Sequence, residues 1–292
     1  MKKTRQPRPF LMKRRGKPLT ISLFFRPDNK QAVLWQKKIA SWLAKRHPTA
    51  RITDKKPEAI IVLGGDGTIL EAARKYQKAQ SVIIGLNLGN VGFLASVRNQ
   101  KNFLKSLDKF LSDKYNTVER MMLSAEVIRN HKVIFKIESM NDIVVQNPYG
   151  MVALQVNIED HPVQNIRGTG VLVATATGST AYNLSAHGPI VMPDIKGFIV
   201  TEILDHNIPT PSIVVKYNRK IFVKVVDFRE RGLFSISSTG QKIDVVLISD
   251  GENIFPLQKS DVVKIEQSSH MIRFAELEPH YFFKSLQEKF GL

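Results

Sequence analysis

The pattern of hydrophobic residues changes once along the chain, at about residue 116. Before that point, short continuous apolar runs such as Ala59–Leu63 alternate with segments whose apolar residues recur every three or four positions. Continuous runs are typical of strands buried on both faces, and the spaced residues are typical of amphipathic helices. Strands that alternate with helices predict a parallel sheet covered by helices. Residues 19–115 are therefore expected to form a Rossmann-like α/β domain.

After residue 116 the apolar positions follow a period of two. Apolar side chains recur at every second position of residues 152–158, which indicates a half-buried strand. Similar stretches follow, separated by turns rich in Gly, Asn, Asp and Pro, at residues 133–137, 221–228, 244–249 and 261–266. Residues 116–275 are therefore expected to form an all-β, β-sandwich-like domain. The amphipathic segment 276–292 predicts a C-terminal helix that returns to the first domain.

Charge adds a preference for anionic partners. The chain has 43 Lys and Arg residues against 26 Asp and Glu residues, a formal net charge of +17. Eight of these cations and no acid lie in the first twenty residues, and taking those eight from +17 leaves +9. Residues 1–18 are predicted to be a basic, disordered extension. The remaining excess suits phosphorylated small molecules, nucleic acid or membrane headgroups equally well.

Composition excludes several classes of function. Without cysteine, the chain has no disulfide, no thiolate nucleophile and no sulfur-ligated metal. No apolar run is long enough to span a bilayer, and no signal-peptide core follows the basic start, so a cytoplasmic protein without a membrane partner is expected. Nucleic-acid binding is possible but not predicted, because aromatic residues do not alternate with the basic ones.

A glycine-rich loop, Gly64-Gly65-Asp66-Gly67-Thr68, follows the apolar run at residues 59–63. Ligands of parallel sheets bind beyond the carboxyl ends of strands, where glycines let backbone N–H groups approach phosphate oxygens. A carboxylate in such a loop would serve as a base for an incoming hydroxyl, or as a ligand of magnesium through water. The alternative is a tight Asp-Gly turn in which Thr68 caps a helix over residues 69–78. A second Gly/Asn-rich loop, residues 85–94, would extend the same crevice.

Four segments in this order resemble the NAD kinases. They are the GGDGT loop, the GLNLGNVGFLA segment at residues 85–95, the Asn141-Asp142 pair and the run from Gly170 to Pro189 that contains TGSTAY. Lipid kinases share the GGDGT loop and phosphofructokinases share it loosely, whereas TGSTAY is far more specific. The resemblance implies an α/β domain followed by an all-β domain. It also implies transfer of the terminal phosphoryl group of ATP, or of polyphosphate, to the 2′-hydroxyl of the adenosine ribose of NAD. The product is NADP. A divalent metal, usually Mg²⁺, and a homodimer or homotetramer are implied as well.

The resemblance also implies roles for individual residues. Asp66 would be the catalytic base, and Asn141 and Asp142 would bind the ribose hydroxyls. Arg167 would lie near a nucleotide phosphate or the nicotinamide, and Thr169 stands where the family has an acid that contacts the nicotinamide or a neighbouring subunit's ligand. The remaining nucleotide-binding residues would be Gly65, Gly67 and Thr68 at the phosphates, Phe93 at the adenine, and Thr180, Ala181, Tyr182 and Ser185 at the adenine and neighbouring groups. No side chain is assigned as a metal ligand.

Plain structural roles stay open for these residues. The 141–142 pair could be a strand-entry turn, residues 178–180 a helix cap, Phe93 and Tyr182 core residues, and Arg167 a surface cation. The chain also departs from the family pattern at five positions. It has Asp142 where the family has Glu, Thr169 where it has an acid, Ala176 where it has Pro, His187 where it has Gly, and Glu252 where it has Gln. Two alternative functions follow: a nucleotide-binding relative that is non-catalytic or of altered specificity, and another GGDGT kinase with a lipid or sugar acceptor.

Overall fold

The computed structural model describes residues 18–206, 210–232, 234–235, 240, 242–277 and 281–291. The predicted N-terminal extension, residues 1–18, lies outside this range except for its last residue. The described residues form two compact units: the first consists of those up to residue 120 and from residue 270 onward, and the second of those between residues 121 and 269. The hydrophobic pattern places these boundaries after residues 115 and 275. Among the described helices, none combines the length and apolar character needed to cross a bilayer.

The described chain contains seventeen strands and five α-helices, numbered here in chain order. The first part contains β1 (Thr20–Phe25), α1 (Lys30–Arg46), β2 (Arg51–Ile52), β3 (Ala59–Leu63), α2 (Asp66–Tyr76), β4 (Val82–Leu86), α3 (Phe103–Leu111), β5 (Asn116–Arg129) and β6 (Lys132–Ser139). The middle part contains β7 (Asp142–Gln146), β8 (Val152–Ile158), β9 (His161–Thr175), α4 (Tyr182–Ser185), β10 (Gly197–Asp205), β11 (Ile213–Lys216) and β12 (Ile221–Phe228). The last part contains β13 (Phe234–Ser235), β14 (Lys242–Ile243), β15 (Val245–Ser249), β16 (Asn253–Leu257), β17 (Val262–Glu276) and α5 (Tyr281–Phe290).

The first unit is built on a parallel sheet with the strand order β2-β1-β3-β4, and the end of β17 pairs in parallel with β4. Every residue of β3 and β4 is buried, as their continuous apolar runs predict. Apolar residues of α1 and α3 share one core cluster with these strands, so both helices cover the same face of the sheet. The predicted α/β organisation is confirmed.

Helix α2 begins three residues earlier than the sequence pattern predicts, at Asp66 instead of Ile69. Gly65, in extended backbone, is its N-cap, and Asp66 lies in the first turn, where a negative charge interacts favourably with the helix dipole. The apolar face of the helix holds Ile69, Ala72 and Ala73, all buried. Burial of this face lets the helix include Gly67, which has a low intrinsic helix propensity.

The second unit is β-rich and antiparallel, as the period of two predicts. Its strands follow the order β16-β15-β7-β9-β8-β12-β17, with β10 and β11 added beside β9, and β5 and β6 added beside β17. The fifteen-residue strand β9 pairs with β7, β8 and β10. A short 3₁₀ helix, Gly178–Thr180, and α4 follow β9 directly. The predicted C-terminal helix is present as α5, which belongs to the first unit and places Phe282 against Phe93.

Candidate active site

Two loops of the first unit meet at one edge of its sheet. Strands β3 and β4 are parallel neighbours, and their last residues, Leu63 and Leu86, pair with each other. The glycine loop that follows β3 is therefore adjacent to the loop that follows β4. A backbone hydrogen bond of 3.1 Å from Gly64 to the carbonyl of Leu86 joins the two loops. This is the kind of sheet edge at which α/β proteins bind nucleotides.

The second loop holds the Asp66 carboxylate. The backbone N–H of Phe93 donates to its Oδ2 at 2.7 Å, and the N–H of Leu94 donates to its Oδ1 at 3.2 Å. Gly92 lies so close that a Cβ built on it would lie 2.2 Å from Oδ1 of Asp66. The carboxylate is thus held in one orientation, and this packing needs glycine at position 92.

The surroundings of Asp66 raise its pKa above the ordinary value of 3.8. Burial is the largest cause, because it disfavours the ionised carboxylate. The amides of Phe93 and Leu94 and the charges of Lys289 and Arg98 oppose this effect but do not cancel it. A carboxylate with a raised pKa is a stronger proton acceptor once it is ionised.

The three glycines of the loop have different surroundings. A Cβ built on Gly64 would lie 2.4 Å from the hydroxyl of Thr68, which is itself buried. A Cβ built on Gly65 or on Gly67 would meet no atom of the protein within 4 Å. Packing within the protein thus accounts for Gly64, whereas Gly65 and Gly67 leave the backbone open to a ligand. Thr68 packs against Gly64 within the loop.

Phe93, which was expected at the adenine, is 8% exposed. Its ring lies 5.6 Å from that of Phe282 and 6.2 Å from that of Phe290, both on α5. The ammonium group of Lys289 lies 5.1 Å from the centre of the Phe93 ring. The aromatic ring is thus packed mainly against the C-terminal helix.

In the second unit, Asp250 organises the turn that contains Asn141 and Asp142. Its carboxylate accepts hydrogen bonds from the N–H of Asn141 at 2.7 Å, the N–H of Met140 at 3.1 Å and the hydroxyl of Ser139 at 2.5 Å. Its own N–H donates to the carbonyl of Asp142 at 3.1 Å. The sequence does not predict this role of Asp250, because a bond from residue 250 to residues 139–141 leaves no local pattern.

The Asp142 carboxylate is buried but has no hydrogen-bond donor within the described part of the chain. Its residue is 4% exposed at the start of β7. Burial, and secondarily the charge of Asp250, raises its pKa to about 7. Such a carboxylate retains its full capacity to accept hydrogen bonds from a ligand's hydroxyl groups. The plain structural role of residues 141 and 142 is present as well, since the two residues form the turn through which the chain enters β7.

The TGSTAY segment packs against this turn. A Cβ built on Gly178 would lie 2.1 Å from the carbonyl oxygen of Asn141. The pKa of Tyr182 is raised by burial and by the charge of Asp142, which places this phenol near the turn. Thr180 and Ala181 are half-buried, and Tyr182 and Ser185 are exposed. The structure therefore brings the TGSTAY segment and the 141–142 turn together.

Arg167 and Thr169 lie farther along β9. In the strand pairing, Ala174 of β9 lies opposite Asp142. Arg167 precedes Ala174 by seven positions, and Thr169 precedes it by five. At the rise of an extended strand they lie about 23 and 17 Å from it. Arg167 instead lines a separate cavity of about 380 Å³ together with Arg229 and Arg231. The structure does not place these two residues with the 141–142 turn.

No group of three or more His, Cys, Asp or Glu side chains that could hold a metal ion occurs among the described residues. Mg²⁺ in sites that use nucleotides often takes one or two carboxylates and several phosphate oxygens. The loop supplies one such carboxylate, that of Asp66, and the open backbone of Gly65 and Gly67 beside it leaves room for phosphates. The residues present therefore fit a magnesium ion that arrives with phosphates.

Comparison with known proteins identifies this arrangement. The family models described as the ATP-NAD kinase N-terminal and C-terminal domains match residues 29–115 and 140–277. Yeast NADH kinase, in a crystal structure with NADH, is similar with a TM-score of 0.84 at 19% identity, over 95% of this chain and 89% of that one. An NAD kinase from Archaeoglobus fulgidus, in complex with ATP, gives a TM-score of 0.72 at 23% identity, over 93% and 98%. The fold is thus that of kinases acting on nicotinamide dinucleotides.

Two relatives define the family more narrowly. The NAD kinase of Lachnoclostridium phytofermentans is 34% identical over 241 residues, 81% of this chain and 81% of its own. The NAD kinase of Symbiobacterium thermophilum is 35% identical over 234 residues, 80% of this chain and 78% of its own. The chain belongs to the NAD kinase family. The predicted family and the predicted NAD kinase activity are confirmed, and neither a lipid or sugar acceptor nor a non-catalytic role is favoured.

Proposed function

We propose that this NAD kinase transfers the terminal phosphoryl group of ATP to the 2′-hydroxyl of the adenosine ribose of NAD, with Asp66 as the general base. The observation that carries the proposal is the position of the Asp66 carboxylate. It lies at the carboxyl edge of a parallel sheet, is held by two backbone amides and is adjacent to two glycines with open faces. Polyphosphate is an alternative donor that the same loop would accept.

Each element of the chemistry has a residue to perform it. Asp66 accepts the proton of the ribose hydroxyl while that oxygen attacks the terminal phosphorus of ATP, and ADP leaves with the electron pair of the broken P–O bond. Phosphoryl transfer depends mainly on positioning and on stabilisation of charge. The backbone N–H groups around Gly65 and Gly67 would donate to the phosphate oxygens. A bound Mg²⁺ ion would neutralise phosphate charge.

The second unit would bind the acceptor. The amide of Asn141 and the carboxylate of Asp142 together can donate to and accept from a pair of vicinal hydroxyls. The residues of this unit that would contact the adenine and its neighbouring groups are Thr180, Ala181, Tyr182 and Ser185. Arg167 and Thr169 are distant from the turn along β9. We therefore assign them to the nicotinamide end of NAD, and this NAD molecule is bound either to the same copy of the chain or to a neighbouring copy. A homodimer or homotetramer in the cytoplasm is part of the proposal.

The experiment is a product assay with the purified chain. Incubation with NAD, ATP and MgCl₂ should give NADP, and phosphorus NMR should place the new phosphate on the 2′-oxygen. Absence of product across nucleotide and polyphosphate donors and several divalent metals would overturn the proposed reaction.

Asp66→Asn tests the role of the carboxylate. The amide cannot take a proton, so turnover should fall about 10³-fold, while the melting temperature should stay close to that of the wild type. Turnover within a few-fold of the wild type would remove Asp66 from the mechanism without removing the activity.

A further inference from the structure

The C-terminal helix α5 is connected to the Asp66 carboxylate through the loop that follows β4. Ser285 is fully buried, and its hydroxyl lies within hydrogen-bond distance of two carbonyl acceptors, that of Tyr281 at 3.0 Å in the same helix and that of Gly92 at 3.2 Å in the loop. Gly92 in turn packs on the carboxylate, and the next two residues of the loop donate their N–H groups to it. The rings of Phe282 and Phe290 pack against Phe93 in the same loop. Any shift of α5 would therefore move the donors that hold Asp66.

One side chain outside the helix attaches it to this loop. Arg98 donates from Nε to the hydroxyl of Tyr281 at 3.2 Å, and its two terminal nitrogens donate to Ser285 and Glu288. Its guanidinium group also lies 4.5 Å from the centre of the Tyr281 ring. Residues 281, 285 and 288 lie on one face of a helix, so the planar guanidinium contacts two successive turns.

The same arginine also acts on Asp66 through charge. The charged and titratable groups that face Asp66 are Lys289 and Tyr281 on α5, and Arg98 on the loop. The two cations lower the pKa of Asp66 and oppose the effect of burial. Removing one of them would leave the carboxyl group protonated up to a higher pH.

We propose that Arg98 is a positioning residue for phosphoryl transfer. It holds α5 against residues 92–94, and this loop holds the carboxylate of Asp66 toward the reacting hydroxyl. The inference rests on the proposed function of Asp66 and extends it to a residue that the sequence motifs do not include. Arg98 itself does not need to touch a substrate for this role.

The test compares Arg98→Gln with Arg98→Lys in the full-length chain. Arg98→Gln loses the charge and the forked donor geometry. Its kcat should fall about 10- to 100-fold, with a smaller change in the KM for NAD, since misplacement of a catalytic group costs rate. The midpoint of the acidic limb of its pH–kcat profile should move to higher pH. Arg98→Lys keeps the charge, so that midpoint should stay where it is in the wild type while kcat falls less.

Arg273→Gln is the matched control. Arg273 forms the same kind of pair in the same unit, 3.1 Å from Glu119, and the side chains of Arg273 and Arg98 are 23% and 18% exposed. The control should show a similar change in melting temperature, with kcat and pH midpoint unchanged. Equal effects of Arg98→Gln and Arg273→Gln on kcat and on the pH midpoint would overturn the inference.

Lys289→Gln keeps the proposal testable if Arg98→Gln does not fold. Lys289 is exposed and acts on the same carboxylate, so its loss should raise the pH midpoint without unfolding α5. An unchanged midpoint in Lys289→Gln would contradict the electrostatic part of the inference. Asp66→Asn separates the two proposals: if it is inactive while the Arg98 variants behave as wild type, only the positioning role fails. If Asp66→Asn is active, the proposed function of Asp66 fails.

Discussion

Each unit contains an aspartate whose pKa is raised by its surroundings, half-buried Asp66 in the first and buried Asp142 in the second, and the two carboxylates are held in opposite ways. Asp66 in the first unit accepts hydrogen bonds from two backbone amides of a neighbouring loop. Asp142 in the second unit has no donor within the described residues, because the donors of its turn are used by Asp250. The first carboxylate is oriented by the protein, and the second is left for a ligand to satisfy.

In the proposed reaction the two carboxylates have different tasks. A base must have one orientation and an accessible proton-accepting oxygen, and the amides of residues 93 and 94 provide that orientation. A residue that recognises a hydroxyl group needs unused hydrogen-bonding capacity, and the site rejects a ligand that leaves this capacity unmet. The raised pKa of both aspartates reflects burial first, but only Asp66 has amide donors that oppose it.

Gly92→Ala tests the orientation of Asp66. The added methyl group would lie 2.2 Å from the present position of Oδ1, so the carboxylate must move. We expect kcat to fall about 100-fold, because a small displacement of a catalytic group is costly. Gly89→Ala in the same loop is the control, since its nearest neighbour would be 3.9 Å away. Equal kcat values for the two variants would contradict the account of how Asp66 is held.

Asp142→Asn tests the unsatisfied carboxylate. At pH 8 the wild-type residue is ionised, and we expect the KM for NAD to rise about tenfold in the variant because a charge-assisted hydrogen bond is lost. Below the pKa of about 7 the wild-type carboxyl group is itself protonated, so the difference in KM should shrink at pH 6. Steady-state kinetics at the two pH values measures this. A pH-independent ratio of KM values would show that Asp142 does not titrate in this range.

The same variant should be more stable than the wild type. The folded-state pKa of Asp142 lies above the ordinary value of 3.8, so the wild type loses stability as the pH rises from about 4 to about 7. Asn does not ionise and avoids this loss, on the order of 2–4 kcal/mol in the free energy of unfolding. Thermal melts of both proteins should diverge across that range and then differ by a constant amount. Parallel melts would contradict the raised pKa.

Gly65→Ala and Gly67→Ala test the open face of the loop. A methyl group at either position meets no protein atom, so the melting temperature should not fall in Gly67→Ala and should fall only slightly in Gly65→Ala, where glycine is the N-cap of α2. The same methyl group would occupy space next to the phosphates, and the KM for ATP should rise about three- to tenfold. A drop in melting temperature with an unchanged KM would mean that these glycines serve the fold rather than the ligand.

The local parts of this site follow from the sequence. A continuous apolar run that ends in glycines predicts a buried strand and a loop at the sheet edge, and both are present at residues 59–65. The start of α2 was predicted three residues too late, because Asp66-Gly67 is also typical of a turn and the burial that extends the helix is tertiary. Helix α5 was predicted from its spacing of aromatic residues.

The long-range parts could not be predicted. Asp250 bonds to Asn141 across 109 residues, and Arg98 bonds to Glu288 across 190. No hydrophobic period connects such positions, and both residues occur in segments that look like ordinary turns or loops. The resemblance to NAD kinases supplied the residues of the site, but the groups that hold those residues in place became visible only with the fold.

The most direct test of Asp66 as the general base is the pH dependence of phosphoryl transfer at saturating NAD and ATP, in the wild type and in Asp66→Asn. At saturating NAD, the contribution of Asp142 to NAD binding no longer affects the measured rate. We expect the wild-type rate to fall with decreasing pH as Asp66, whose pKa is raised, is protonated. In Asp66→Asn, this acidic limb should be absent and the rate about 10³-fold lower. An Asp66→Asn variant that retains the limb and most of the rate would contradict the claim that this carboxylate takes the proton.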